Sequence, residues 1–82
     1  MSTFTLYQYP SCPFCYRVSA ALRTLDVEVE VRDILRDASA RAELVAAQGR
    51  STVPVLKIVA EDGSERWLPE SRDIIEYLRG LA

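Results

Sequence analysis

Apolar and polar side chains alternate in several short segments of the chain, and alternation of this kind predicts β-strands. In the segment before Pro10, Phe4 and Leu6 alternate with polar or amphipathic neighbours. Alternation predicts strands over Thr3–Tyr9 and Val27–Val31, a compact β-branched run predicts a third over Val53–Val59, and a short fourth strand is expected over Arg66–Leu68. Asp62-Gly63 lies between the last two and indicates a hairpin turn there.

Apolar residues recur at helical spacing in three other segments. The first helix follows a turn over Ser11–Cys15 and ends near Asp26, the second is capped by Asp37 or Ser39 and stopped by Gly49, and the last covers Ser71–Leu81. The predicted inward faces are Cys15, Val18, Leu22 and Leu25 in the first helix, Ala38, Ala42 and Val45 in the second, and Ile74, Ile75, Leu78 and Leu81 in the last. The element order is therefore β-α-β-α-β-β-α, within one α/β domain spanning residues 1–82.

Composition narrows the classes of partner. Ten basic residues against twelve acidic ones give a net charge of −2, which argues against nucleic acid because phosphate neutralisation needs a basic surface. No apolar run approaches the roughly 18 residues of a membrane span, so we expect no membrane partner. The first residues lack the basic start and apolar core of a secretory signal, and we expect a cytoplasmic protein.

The chain contains two cysteines and no histidine. This excludes histidine-based catalysis and any structural zinc site with four ligands from one chain. Cys12 and Cys15 are only three positions apart, so a disulfide between them would close a tiny loop and contribute little stability. Reactivity is the natural alternative role for the pair.

The segment Cys12-Pro13-Phe14-Cys15 stands where a strand gives way to a helix. Pro13 suits the first helical position, which places Cys12 at the N-cap, where the positive end of the helix dipole favours a thiolate. Cys15 lies one turn further in, so its thiol should stay protonated longer. We therefore expect Cys12 to attack a disulfide and Cys15 to resolve the product. Half of a zinc site shared between subunits, or a pair of inert residues, is the alternative interpretation.

Three segments together resemble the glutaredoxins of the thioredoxin-fold superfamily. They are Cys12-Pro13-Phe14-Cys15, Gly49-Arg50-Ser51-Thr52-Val53-Pro54 and Leu68-Pro69-Glu70-Ser71 with the helix that follows. The third is most similar to the N-terminal domains of glutathione transferases and of two-domain, transferase-like glutaredoxins. The resemblance implies a thioredoxin-like (glutaredoxin) fold with a central four-stranded mixed sheet.

The resemblance also implies a glutathione site. It implies a cis Val53–Pro54 bond beside Cys12, with the Val53 backbone binding the cysteine backbone of glutathione. Glu70 and Ser71 would bind the ammonium and carboxylate groups of the γ-glutamyl end. Arg17 and Arg50 would pair with the glycine carboxylate. The expected glutathione-binding residues are Phe14, Arg17, Arg50, Thr52, Val53, Pro54, Glu70 and Ser71.

The expected function is that of a glutathione-dependent thiol–disulfide oxidoreductase, a monomer that acts on protein disulfides and on glutathionylated proteins. Glutathione would be the co-substrate, and no metal is expected. One alternative is a redoxin reduced by a flavoprotein reductase, which would not need Glu70 or Ser71. Another is an iron–sulfur carrier in which two subunits each provide Cys12 and two glutathiones complete the ligands. A binding domain with an unused C-x-x-C motif is the last alternative.

Overall fold

The computed structural model describes residues 2–25 and 27–81. These residues form four strands and three helices in the predicted order: β1 Thr3–Gln8, α1 Pro13–Thr24, β2 Glu30–Asp33, α2 Ala38–Gln48, β3 Val55–Val59, β4 Glu65–Leu68 and α3 Ser71–Leu81. Within these residues no helix has both the length and the apolar character needed to cross a membrane.

The strands form one mixed sheet in the order β2-β1-β3-β4. β1 pairs parallel to β2 and antiparallel to β3, and β3 pairs antiparallel to β4. The parallel pair is joined by α1, because a parallel connection needs a crossover. The central four-stranded mixed sheet is therefore confirmed.

Consecutive residues of β1 point to opposite faces of the sheet, and each face carries its own apolar cluster. Leu6 packs with side chains of α1 and α3, namely Val18, Ile74 and Leu78, together with Leu56 and Ile58 of β3. Tyr7 packs in the second cluster, which contains Ala40 and Leu44 of α2 together with Cys12, Cys15, Ile34, Val53 and Val55. Both cysteines therefore lie in the cluster on the α2 side of the sheet.

The predicted second strand was wrong in its bounds. Pairing with β1 begins at Thr5 opposite Glu30, so β2 covers Glu30–Asp33 rather than Val27–Val31. Val27 and Val29 pack against the apolar cluster that contains Leu6, but they do not pair with β1. Their burial in this cluster accounts for the alternating pattern. Val31 is 49% exposed, because β2 is an edge strand of the sheet.

The first helix was predicted to end near Asp26, which lies outside the described residues; α1 ends at Thr24. In α2 the buried residues are Ala40 and Leu44, so the predicted stripe of Ala38, Ala42 and Val45 was wrong. Seven of the eleven residues of α2 are alanine, leucine or valine and they occur on every side of the helix, so the pattern does not indicate which face is buried.

The caps of α2 agree with the prediction. The Asp37 carboxylate accepts hydrogen bonds from the backbone N–H groups of Ser39 and Ala40, both at 3.1 Å. Gly49 has a φ of 74°, a left-handed conformation that suits glycine and ends the helix. In α3, Ile74 and Leu78 are buried as predicted, whereas Leu81 is 46% exposed at the helix end.

The register of the sheet brings four connecting segments together at one end of the strands, which is called the sheet edge below. The last residue of β1, Gln8, lies opposite Asp33 at the end of β2, and Tyr7 lies opposite Val55 at the start of β3. Leu68, at the end of β4, lies opposite Leu56. The segments 9–12, 34–37, 49–54 and 69–70 therefore meet at this edge, and they include most of the predicted site residues.

Candidate active site

Cys12 occupies the N-cap of α1, as predicted. Its Sγ atom accepts a hydrogen bond from the backbone N–H of Cys15 at 3.4 Å, in the position that a serine or aspartate oxygen takes at other helix starts. Pro13 is the first helical residue, and the Cys12 carbonyl accepts the bond from the Tyr16 N–H at 3.1 Å. The first turn of α1 therefore directs an N–H group at the sulfur that must carry negative charge as a nucleophile.

Cys15 is 2% exposed, whereas Cys12 is 6% exposed. The pKa of the Cys15 thiol is raised to about 12, mainly by burial; a hydrogen bond with the Tyr9 backbone opposes the rise, and the hydrogen bond and charge of neighbouring Cys12 add to it. Both cysteines are free. Because only the thiolate attacks a disulfide, Cys15 is a poor nucleophile at neutral pH while it is buried.

The backbone of Val53 lies directly beside Cys12. The Cys12 thiol donates to the Val53 carbonyl at an Sγ–O distance of 3.8 Å, and the Val53–Pro54 bond is cis, as the resemblance implied. The ladder between β3 and β1 begins at Val55, so Val53 lies outside the described strand pairing. An extended peptide laid along Val53 would therefore reach the sulfur of Cys12.

The start of α3 presents Glu70 and Ser71. The Glu70 carbonyl accepts a hydrogen bond from the Ile74 N–H at 2.9 Å, so Glu70 holds the N-cap position and Ser71 is the first helical residue. Within residues 2–25 and 27–81 neither side chain makes a hydrogen bond. Both side chains are thus available to a ligand at the positive end of the helix.

Arg17 shares a surface groove with Ser71. The groove has a volume of about 400 Å³ and is lined by Arg17 of α1 and by Ser71, Arg72, Ile75, Glu76 and Arg79 of α3. The Arg17 guanidinium also lies 5.6 Å from the centroid of the half-exposed Phe14 ring. Arg17 therefore lies with the residue expected to bind the γ-glutamyl carboxylate, although the resemblance implied the glycine end for it.

Arg50 and Thr52 are exposed on the 49–54 segment, before Val53. The topology places this segment at the same sheet edge as Cys12. Arg50 makes no ion pair within the part of the chain that the structure describes. Its guanidinium is therefore open to an anionic group of a ligand bound along this segment.

A polar cluster lies between α2 and the sheet, and the sequence analysis did not predict it. The fully buried Tyr7 donates its phenol hydrogen to the carboxylate of Glu43, and the Lys57 ammonium lies 3.3 Å from the same carboxylate oxygen. Trp67 stacks on Tyr7 with 5.5 Å between ring centroids. The signal that could have found the cluster is the single charged residue, Lys57, in the otherwise apolar segment Val55–Val59.

Comparison with known proteins gives concordant matches. Residues 6–82 match the family model of the glutathione S-transferase N-terminal domain. Glutaredoxin 3 of Escherichia coli K12 is 33% identical over 61 residues, which cover 74% of both chains. Glutaredoxin 2 of the same strain is 34% identical over 77 residues, which cover 93% of this chain and 33% of that longer one.

Solved structures agree with the sequence matches. A thioredoxin-like protein of 28% identity superposes with a TM-score of 0.73, over 98% of this chain and all of that one. A maleylacetoacetate isomerase from Anaeromyxobacter dehalogenans is 32% identical with a TM-score of 0.58, and its crystal contains dicarboxyethyl glutathione and citrate in the active site. The match covers 98% of this chain and 37% of the isomerase. These matches confirm the thioredoxin-like fold and the predicted resemblance to transferase-type domains.

Proposed function

Because this chain belongs to the glutathione S-transferase N-terminal domain family, we propose that it acts as a glutathione-dependent thiol–disulfide oxidoreductase. Its sequence similarity to two glutaredoxins, at 33% and 34% identity, supports a glutathione-linked thiol chemistry. The observation that carries the proposal is the position of Cys12 Sγ, 3.4 Å from the Cys15 N–H and 3.8 Å from the Val53 carbonyl. The sulfur proposed as the nucleophile therefore lies beside the Val53 backbone, which would bind the peptide substrate.

The first step is attack of the Cys12 thiolate on the glutathione sulfur of a protein–glutathione mixed disulfide. A Cys12–glutathione disulfide forms, the bond to the protein sulfur breaks, and the released protein thiolate takes a proton from solvent. The chain contains no histidine, so solvent and substrate must handle the proton.

The second step regenerates the enzyme. The thiolate of a second glutathione attacks the glutathione sulfur of the Cys12 mixed disulfide, glutathione disulfide leaves, and Cys12 departs as a thiolate beside the Cys15 N–H. The raised pKa of Cys15, about 12 because of burial, favours this route over resolution by Cys15 at neutral pH. Protein disulfides need the dithiol route, in which Cys15 attacks Cys12 after losing its proton to solvent.

Binding of glutathione follows from the groups at the sheet edge. The cysteinyl backbone would lie along Val53, and the γ-glutamyl group would meet Glu70 and Ser71 at the start of α3. Arg17 lines the same groove as Ser71, so we assign it to the γ-glutamyl carboxylate and leave Arg50 for the glycine carboxylate. The isomerase that binds a glutathione derivative supports a site of this type in the fold.

We further propose that the domain works as a monomer in the cytoplasm, where glutathione keeps thiols reduced. Its partners would be glutathione and disulfide-containing or glutathionylated proteins. No metal takes part in the proposed cycle.

The test is steady-state reduction of a glutathione mixed disulfide, with glutathione, glutathione reductase and NADPH consumption as the readout. We expect turnover by the wild type and none by Cys12→Ser, which keeps the size of the side chain and removes the nucleophile. Equal rates in the two proteins would contradict the proposal. If turnover required a flavoprotein reductase acting directly on the chain, the reductase-linked redoxin would replace it.

A further inference from the structure

Helix α2 is held against the sheet by a small apolar contact. Across Ala38–Gln48, all of which the structure describes, the buried side chains are Ala40 and Leu44. An alanine and a leucine bury little area for a helix of this length, so apolar contact alone fastens α2 weakly. The polar contact made by Glu43 on the same side of α2 is therefore a substantial part of its attachment.

Glu43 joins α2 to two strands. Its carboxylate accepts a hydrogen bond from the phenol of Tyr7 in β1 and lies 3.3 Å from the ammonium of Lys57 in β3. The Tyr7 side chain is fully buried and the Lys57 side chain is 18% exposed, whereas the Glu43 side chain is 39% exposed, so water reaches the two contacts mainly from the Glu43 side. Hydrogen bonds to charged groups are the stronger ones in proteins, and partial burial preserves that strength.

The strand residues of this cluster are themselves fixed by Trp67 of β4. The indole stacks on the Tyr7 ring at 5.5 Å, with 24° between the planes. The Lys57 ammonium lies 5.4 Å from the centroid of the indole ring, and Lys57 and Trp67 are directly opposed across the β3–β4 ladder. The Glu43 carboxylate is thus bound by two donors that are held in place.

The position of α2 determines the position of the segment that follows it. Gly49 ends the helix, and residues 49–54 then carry Arg50, Thr52 and Val53 to the active site. Tyr7 belongs to the same buried cluster as Cys12, Cys15 and Val53. A shift of α2 would be passed to the Val53 carbonyl, which lies 3.8 Å from Cys12 Sγ.

We propose that Tyr7, Glu43 and Lys57 form an anchor that holds α2 against the sheet and thereby positions the glutathione-binding segment 49–54. These residues touch no substrate, and they act through the helix. The kinetic consequence rests on the proposed use of glutathione, whereas the effect on the segment itself does not.

The first experiment measures amide hydrogen exchange of the full chain by mass spectrometry, following peptides that cover residues 49–54. Glu43→Ala removes the acceptor, and Tyr7→Phe removes one donor while keeping the buried ring. Within this described segment the Gly49 amide alone donates to a backbone acceptor, the Val45 carbonyl at 2.7 Å, and we expect both variants to exchange it faster than the wild type. Glu43→Gln still accepts from Tyr7 but loses the ion pair with Lys57, so it should restore part of the protection.

Asp37→Ala is the matched control. It removes the N-cap of α2, including the 3.1 Å bonds from the N–H groups of Ser39 and Ala40, and so weakens the same helix from its other end. The substitution also removes the 2.8 Å ion pair between Asp37 and Arg32. We expect Asp37→Ala to leave exchange in residues 49–54 close to that of the wild type.

The second experiment measures glutathione kinetics of the same variants. An anchor that positions the binding segment predicts that Glu43→Ala and Tyr7→Phe raise the KM for glutathione by about threefold or more with little change in kcat. Asp37→Ala should keep the wild-type KM.

The outcomes separate the two proposals. Wild-type exchange of residues 49–54 in both Glu43→Ala and Tyr7→Phe overturns the anchor, and so does equally fast exchange in Asp37→Ala, which would mean general loosening of α2. If the wild type fails to turn over with glutathione, the proposed function is wrong. The exchange experiment then decides the anchor alone.

Discussion

Burial of the Cys15 thiol predicts a specific dependence of stability on pH. Cys15 is 2% exposed, and burial raises its pKa from the ordinary 9.0 to about 12 in the folded chain. In the unfolded chain the thiol is solvated and its pKa returns to the ordinary value. Folding is therefore coupled to the proton on Cys15.

The sign of the effect follows from which state loses the proton first. Below about pH 9 the thiol is protonated in both states and costs nothing, whereas between about pH 9 and pH 12 the unfolded chain ionises and the folded chain does not. The free energy of unfolding should thus fall as the pH rises, by at most about 1.4 kcal/mol per pH unit. Between about pH 8 and about pH 10.5 this amounts to roughly 2 kcal/mol.

The assay is urea unfolding at these two pH values, with a reductant that contains no thiol. Tyrosines and lysines also titrate in this range, so the informative quantity is the difference between the wild type and Cys15→Ser. We expect this difference to change by roughly 2 kcal/mol against the wild type as the pH is raised. Cys12→Ser, which keeps Cys15, is the matched control and should retain most of the change.

An unchanged difference between wild type and Cys15→Ser at the two pH values would refute the reasoning. Cys15 would then ionise equally easily in the folded and unfolded chain. The preference for glutathione over Cys15 in resolving the Cys12 mixed disulfide would lose its physical basis.

Three further predictions concern the site. Cys15→Ser should still remove glutathione from mixed disulfides while losing most of its reduction of protein disulfides, and equal losses on the two substrates would remove the role assigned to Cys15. Glu70→Ala and Ser71→Ala should each lower the efficiency with glutathione by about one to two powers of ten, the cost of a charge-assisted hydrogen bond, while dithiothreitol-driven reduction of hydroxyethyl disulfide keeps its rate; unchanged glutathione kinetics in folded variants would make these residues only a helix start. Arg17→Gln and Ser71→Ala should be non-additive in a double-mutant cycle on the KM for glutathione, and additive effects would return Arg17 to the glycine end.

The parts of the site that depend on local chemistry could be predicted from the sequence. A cysteine before a proline at a helix start is an N-cap whatever the rest of the fold does, and Cys12 occupies that position. The start of α3 at Ser71 follows Pro69 in the same local way. The resemblance of the segment ending in Val53-Pro54 supplied the neighbour of Cys12, which no periodicity could have supplied.

The parts that depend on tertiary contacts could not be predicted. Val31 alternates as regularly as Val27, yet it is exposed because β2 is an edge strand of the sheet. The pairing of Arg17 with the Ser71 groove depends on how α1 and α3 pack side by side. The contact between Tyr7 and Glu43 joins residues 36 positions apart, and nothing in the sequence around either residue indicates the other as its partner.

The central claim is that Cys12 forms a disulfide with glutathione, and intact-mass spectrometry tests it most directly. Reduced Cys15→Ser is incubated with glutathione disulfide and quenched with acid, and its intact mass is measured. The modified peptide is then identified after proteolytic digestion. The account predicts one glutathione per chain, attached to Cys12, and no addition to Cys12→Ser treated in the same way. An unmodified Cys15→Ser chain under conditions where free cysteine reacts would contradict it.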